Sequence, residues 1–439
     1  MYWISKTFHL LNRLQRRTII FLAVLGPGII TMVADNDAGG ISTYAVTGSK
    51  YGFSLLWIFF LLVPMAFYVQ EMTVRLGAVT KRGHAEIIFE AFGRFWGWFS
   101  LIDLAIVNWL TLVTEYIGMT AAMSLFGVPV WLTYLAMTML LFVVVVSGRY
   151  WTFEKLALLF CAFNLVYIPA AFWAMKTPTA PAWSEVAKGL LIPTLATGFG
   201  AEILFIILAN IGTTITPWQI FFQQSSVVDK GLDLHDIKFG KLDTFVGSLI
   251  TCVVAAFIII VTGAAFHFHN PPIVVQDAQQ TAQALEPLLP HGQGELARTL
   301  FAIGLFDAGF LGALCISLST SWAFGEVFGW AHSLNKKIKE APWFYGVYLL
   351  MLLSAGAVVM IPGAPLITIT MFVQVVAVTL LPSLLVFLIL ILNSESFMGQ
   401  HVNTRVQNIV NWTIVVLVIA MSTLFALSTL FPSWFKNAG

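Results

Sequence analysis

Apolar residues run through this chain in blocks long enough to cross a bilayer, separated by short polar connections. A membrane-crossing helix needs ~20 mostly apolar residues. Eleven such blocks can be marked, near 18–47, 52–75, 95–126, 130–148, 152–174, 190–224, 242–268, 296–329, 343–361, 366–392 and 408–431. Most end at charges, glycine or proline and predict plain helices. Two are interrupted from within, the first at Asp35-Asn36-Asp37-Ala38-Gly39-Gly40 and the sixth at Asn210-Ile211-Gly212-Thr213-Thr214-Ile215-Thr216-Pro217. They lie five blocks apart, and an odd offset turns one five-helix unit upside down relative to the other. Paired broken helices at corresponding places point to an inverted repeat with a binding site at the breaks, near mid-membrane. The expected fold is an all-α membrane protein, a single domain over 1–439 with eleven transmembrane helices. It divides into a first five-helix repeat over 18–174, a second, inverted one over 190–392, and one additional helix over 408–431. The repeat rests on the breaks and the topology, because the halves share no convincing residue-level similarity.

Composition narrows the class. Of 439 residues, 59% are hydrophobic and 10% charged, against roughly 25% charged in a soluble domain. This excludes a soluble enzyme, a nucleic-acid binder and a disordered chain. Cys161, Cys252 and Cys315 all sit in apolar runs, so neither a disulfide framework nor a zinc site is implied. The basic, amphipathic start, MYWISKTFHLLNRLQRR, reads as a cytoplasmic lead-in to the first span rather than a cleaved signal. Of the 22 Lys and Arg, only Lys50, Lys176, Lys188, Arg298 and Lys436 fall on one side. The positive-inside rule puts that side outside, with the N-terminus in the cytoplasm and the C-terminus outside. The long outer loop near 269–295 and its flank carry His267, His269 and His291, more simply read as solvated than as a metal trap.

The interruptions carry the chemistry. Unwound backbone at this depth is tolerated only where it is buried in protein or lines a cavity. Its carbonyls lose helical partners and become hard ligands for a cation. Asp37 adds a carboxylate, which costs about 2.5–3.5 kcal/mol at mid-span on insertion scales. No Lys or Arg lies in the same block beyond its cytoplasmic end, so a bound cation is the economical partner. An aspartate ahead of Ala-Gly-Gly also suits a helix cap, and the two roles are compatible. Asp35 reads either as lining the approach or as an acceptor behind the ligands. The second interruption, from Asn210 onward, supplies Thr213, Thr214 and Thr216 and no His, Cys or Met. Oxygen donors suit Mg²⁺, Ca²⁺ and Mn²⁺. Mg²⁺ retains several waters, for which Ala38, Gly39 and Gly40 leave room, although such small residues also permit close helix packing. In the third block Asn108, Thr111 and Glu115 share a face, and Glu115 reads as a vestibule charge, a hydrogen-bonded anchor or a proton site. Glu71 and Arg75, four apart, read as an ion pair or gate latch near the cytoplasmic end. Asp307 faces the bundle interior with no role assigned. Gln374 and Thr379 are candidates for a cavity wall, and Gln223 and Gln224 for the inner path.

The stretch GPGIITMVADNDAGGISTYAVTGSKYGFSLLW resembles the first span of the NRAMP divalent-metal transporter family, whose motif is Asp-Pro-Gly-Asn followed by Lys-Tyr-Gly. The matching residues are Asp37-Ala38-Gly39-Gly40 and Lys50-Tyr51-Gly52. The sixth block, GTTITPWQIFF, resembles the family segment ending in Met-Pro-His, with Thr216-Pro217-Trp218 in those places, and Glu115 falls where the family has its third-span glutamate. The resemblance implies two intertwined five-helix repeats plus an extra helix. It also implies an ion held by the Asp37 carboxylate and the carbonyls of Ala34 and Thr213. The full expected ligand set is Asp37, Ala34, Gly40, Thr213 and Thr216. Trp218, Glu115, Asn210 and Thr379 are the residues expected to line the cavity. The departures are informative. The motif Asn is Gly40, the soft Met ligand is Thr216, the His linked to proton movement is Trp218, and an acidic companion of the glutamate is Leu112. These losses resemble the NRAMP-related magnesium transporter branch.

The expected function is therefore secondary transport of Mg²⁺, and Mn²⁺, as partly hydrated ions by alternating access without proton coupling. The alternatives are a proton-coupled Mn²⁺/Fe²⁺ importer, an amino-acid symporter, whose substrate carboxylate Asp37 would repel, and a cation channel. No enzyme activity and no cofactor are expected. The partners are the divalent ion and the lipid bilayer of the plasma membrane, with no nucleic acid, and the oligomeric state is left open.

Overall fold

The apolar blocks fold as helices throughout. The computed structural model describes residues 24–146, 149–176, 180–194, 200–276, 278–285, 293–364 and 366–431, and no strand occurs among them. The N-terminal lead-in, residues 18–23 of the first block and His291 lie outside the described residues. In chain order the helices are α1 (Pro27–Val33), α2 (Ala38–Tyr51), α3 (Trp57–Thr80), α4 (His84–Ser124), α5 (Val130–Val146), α6 (Tyr150–Phe163), α7 (Tyr167–Ala174), α8 (Trp183–Leu191) and α9 (Ala201–Gly212). They continue with α10 (Pro217–Lys230), α11 (Ile237–Thr262), α12 (Ala278–Leu285), α13 (Gln293–Phe328), α14 (Pro342–Gly356), α15 (Leu366–Leu392), α16 (Glu395–Met398) and α17 (Arg405–Leu430). Among the described residues nine helical segments are long and apolar enough to cross a membrane, counting α6–α7 and α9–α10 as one segment each. Outside that count lie the 17-residue apolar α5 and the broken pair α1–α2.

Local chemistry sets the helix ends. Pro27, Pro217 and Pro342 sit at helix starts, where a missing N–H costs nothing. Gly52, with φ +58°, stops α2, and Gly93, with φ +80°, kinks α4. The third apolar block therefore begins just past a bend, not at a helix start. The sixth block differs from its expected 190–224. The short helix α8 ends at Leu191, Pro193 and Gly200 interrupt the chain after it, and the span itself starts at Ala201 and runs to Lys230. The seven-residue α1 is too short to be stable alone. It is capped from a distance: Asp243 on α11 accepts from the Gly28 amide at 2.7 Å and the Gly26 amide at 3.2 Å through Oδ2, and from Ile29 through Oδ1.

The broken spans occupy the centre. α9–α10 packs against α3, α13 and α15, and α1–α2 against α11 and α4. Along the apolar stretch of Ala201–Lys230, 94% of residues are buried, against 22% for that of α17 at the rim. The rim exposes large apolar side chains such as Phe60, Met139, Leu350 and Ile409, as a lipid-facing surface requires. Charged pairs gather at two opposite ends. At the Arg75 end, Glu71 is held bidentately by Arg75 and also by Lys241 at 2.6 Å, while Arg75 reaches the His401 carbonyl and Asn403. At the Lys50 end, Lys50 pairs with Glu202.

Candidate metal centre

Asp37 opens α2 in extended conformation, and its Oδ1 accepts the Gly40 amide at 2.6 Å. The next free amide, Ala38, donates to Glu115 Oε2 on α4 at 3.1 Å. In an unbroken helix that amide would bond to the Ala34 carbonyl, so Glu115 releases the Ala34 oxygen while satisfying the helix start. Capping uses only one oxygen of Asp37. The other, Oδ2, is buried with no hydrogen-bond partner, as is Asp35 Oδ2. Asp35, Asn36 and Asp37 are all fully buried.

The second break works differently. α9 ends at Gly212 with Thr213 as its C-cap, and α10 begins with Thr216 as N-cap and Pro217 as first residue. Proline has no N–H to give the Thr213 carbonyl, so that oxygen is released without any side chain intervening. The Gln219 carboxamide accepts the Thr216 amide at 3.0 Å and donates to the Thr31 carbonyl of α1 at 3.3 Å, tying the two broken spans together. A second tie is the Thr216 hydroxyl, which donates to Asp35 Oδ1 at 3.2 Å.

Gly40 marks where the breaks meet. A β-carbon there would lie 2.6 Å from Thr213 Oγ1, 3.2 Å from the Asp35 carbonyl and 3.3 Å from Asp37 Oδ1. Three oxygens from two spans thus surround one point. Gly40 contributes that space and an amide for Asp37, so its place in the expected ligand set is as a spacer. One residue earlier, a β-carbon on Gly39 would collide with the Gln374 carboxamide of α15 at 2.1 Å, and both polar atoms of that carboxamide lack partners. Gln374, grouped with Thr379 as a wall candidate on sequence, therefore belongs to the cluster. Thr379 does not: its side chain is exposed and its hydroxyl turns back to the Val375 carbonyl at 2.8 Å. Five residues along a helix is a turn of about 140°, so the two residues face different sides.

The other expected cavity residues are buried around the cluster. Asn210 donates to Thr47 Oγ1 at 2.8 Å and binds α9 to α2. Trp218 is fully buried, its carbonyl accepting from Ser319. Glu115 is a hydrogen-bonded anchor, contacted also by Thr114 at 3.3 Å. Among the described residues no three His, Cys, Asp or Glu side chains gather as a metal cluster. What the breaks offer is carboxylate, hydroxyl, carboxamide and carbonyl oxygen. The Met371 sulfur lies one turn away on α15, 3.8 Å from the Thr43 hydroxyl.

The two sides of the cluster are unequal. Toward the Lys50 end a vestibule of about 480 Å³ opens, lined by Ser42, Gly118, Ala121, Gln276, Leu305 and Thr370 among others. Toward the Arg75 end the expected inner path is plugged. Gln70 donates to Gln219 at 3.4 Å, Gln223 to Thr244 at 2.8 Å, and Gln224 to the Arg82 carbonyl at 2.9 Å while bonding His84 at 3.0 Å. Beyond them Glu326 accepts from Ser225 and from the Ala85 amide.

A helical membrane protein in which two broken spans meet around buried, unpartnered oxygens has the architecture of a transporter. The chain belongs to the Nramp family: the family's model, described as natural resistance-associated macrophage protein-like, matches residues 28–428. Among its relatives is a divalent metal cation transporter, MntH, of Klebsiella pneumoniae, 26% identical over 404 residues that span 91% of this chain and 93% of the relative. The MntH of Caldanaerobacter subterraneus is 24% identical over 93% of this chain and 94% of its own length. The fold is similar to that of the Eremococcus coleocola manganese transporter, solved with an aromatic bis-isothiourea substituted compound. That match has a TM-score of 0.78 at 22% identity, covering 95% of this chain and 89% of the other. It is similar more distantly to MhsT in complex with L-phenylalanine, with a TM-score of 0.54 at 13% identity over 91% and 98% of the two chains.

Proposed function

We propose that this protein carries divalent metal cations across the plasma membrane by alternating access, with Mg²⁺ as its main cargo and Mn²⁺ also accepted. The observation that carries the reading is the meeting of Asp37, Thr213 and the Asp35 carbonyl around one point, with Thr216 where a thioether would favour softer ions. Hard oxygens suit a hard dication, and the open vestibule suits an ion that keeps part of its water. The Ala34 and Thr213 carbonyls complete the ligand set. Counting α1–α2 and α5 with the nine longer segments gives eleven spans, arranged as two inverted five-helix repeats and a final helix. The Arg75 end is cytoplasmic and the Lys50 end outside, with the N-terminus inside and the C-terminus outside. No proton is required for drive, since two charges gain ~4.6 kcal/mol per 100 mV of inward potential.

The test is uptake into proteoliposomes across Mg²⁺, Mn²⁺, Ca²⁺ and Cd²⁺, with and without a pH gradient. Saturable Mg²⁺ uptake without acidification of the lumen is expected. Acidification in step with Mg²⁺ entry would defeat the uncoupled part. Strong Cd²⁺ transport with little Mg²⁺ transport would favour a second reading, a proton-coupled Mn²⁺/Fe²⁺ importer, which the Met371 sulfur one turn from the cluster and the manganese-transporting relative support. An amino-acid substrate is disfavoured by the two buried aspartates, although the fold itself is shared with a protein solved around an amino acid.

A further inference from the structure

A second group of buried polar atoms lies in the membrane, apart from the two breaks. Asp307 on α13 is 2% exposed, and its Oδ2 accepts from Asn164 Nδ2 at 2.9 Å. Asn164 opens the 3₁₀ turn, Asn164–Val166, that joins α6 to α7. One turn on, the Tyr167 hydroxyl lies 2.6 Å from where a β-carbon of Gly304 would stand, and the Tyr167 ring meets Phe301 edge-on at 5.5 Å. The two segments therefore run antiparallel in register, 164 against 307 and 167 against 304. In the other direction Phe160 stacks on Phe310 at 4.8 Å. Three oxygens on this seam have no hydrogen-bond partner: Asp307 Oδ1, Asn164 Oδ1 and the Tyr167 hydroxyl. Asn164 and Tyr167 are both fully buried.

This seam is not part of the metal centre. A β-carbon on Gly312 would touch Glu115 at 2.8 Å and Asp37 at 3.1 Å, and Asp307 lies five residues before it, ~7.5 Å along the helix. Among the described residues no Lys or Arg forms an ion pair with Asp307. A buried carboxylate without a cationic partner is costly and marks function by default. The donors here are carboxylate, carboxamide and phenol oxygens, all hard, and with a single acidic group among them they supply at most one negative charge. Asn164 already occupies the second carboxylate oxygen. Charge and donor number both match a singly charged ion better than a dication.

We infer that the seam between α6–α7 and α13 binds a monovalent alkali cation, Na⁺, through Asp307 Oδ1, Asn164 Oδ1 and the Tyr167 hydroxyl. The ion clamps α13 to the 3₁₀ turn and so fixes the helix that packs Gly312 beneath Asp37. Thermal unfolding of the purified full-length protein at matched ionic strength tests this. Na⁺ should raise the unfolding temperature saturably, while K⁺ and choline should not. Asp307→Asn should abolish the Na⁺ response, and Tyr167→Phe should raise the half-saturating Na⁺ concentration about tenfold, the worth of one contact to a charged group. Equal responses to all three salts, or a Na⁺ response that survives Asp307→Asn, would overturn it. If Asp307→Asn does not fold, saturable binding of radiolabelled Na⁺ by wild type, weakened in Tyr167→Phe, decides; no saturable binding by wild type overturns the inference. The Mg²⁺-induced shift should persist in Asp307→Asn, so the fate of this site and that of the metal centre are read separately.

Discussion

The two breaks reach the same end by different chemistry. The first is held open by acids: Asp37 caps its own half-helix, and Glu115, from α4, takes the amide that would have closed the turn. The second is held open by Pro217, which has no amide to give, and its cap is the neutral Thr216. The first break therefore brings charge to the centre and the second brings neutral oxygen. If the breaks hold the dication as proposed, charge governs how strongly it is held, and the neutral half, which can exchange oxygen for sulfur at no electrostatic cost, governs which dication it is.

Removing the charge should be the most damaging change. Asp37→Ala is expected to lower Mg²⁺ uptake about 100-fold or more, since a unit charge near a partly buried dication is worth several kcal/mol. Uptake in proteoliposomes checks it, and near-normal transport would mean that charge sits elsewhere. The neutral half should instead change selectivity. Thr216→Met is expected to cost about tenfold in Mg²⁺ affinity while Cd²⁺ transport rises, read by competition between the two ions. If both ions lose equally, position 216 does not sort them. The smallest effect is expected where the breaks touch. A β-carbon at Gly40 would lie 2.6 Å from Thr213 Oγ1, so Gly40→Ala should turn that side chain away and weaken Mg²⁺ binding about three- to tenfold. In the Thr213→Ala background the same change should cost little more, a non-additivity that a double-mutant cycle measures.

What could be read from the sequence was what lies close along the chain. Both breaks were legible because polar residues interrupt apolar runs, and Asp37 and the three threonines announced themselves in the same way. Glu71 and Arg75 were legible as an i,i+4 pair, although Lys241, which also binds Glu71, was not. The contacts that complete the site join distant positions and leave no local trace. Examples are the Ala38 amide with Glu115, Thr216 with Asp35, Gln374 above Gly39, and Asp243 capping α1. Helical phase could have separated Gln374 from Thr379, since the apolar surroundings of both are alike but their faces are not. The sixth block was drawn too long at its start because its apolar content continues across Pro193 and Gly200, where the helix does not.

The plug beneath the centre is made largely of glutamines. Gln70, Gln219, Gln223 and Gln224 seal the path with uncharged carboxamides. A seal of this kind opens by trading amide contacts for water, with no ion pair among these four side chains to separate. These four side chains carry no charge, and toward the Arg75 end buried carboxylates return with Asp243, Glu326 and Glu71. If the ion is held at the breaks as proposed, its release is left to the breaks themselves, since the corridor of amides has no charge with which to detain it or pull it back.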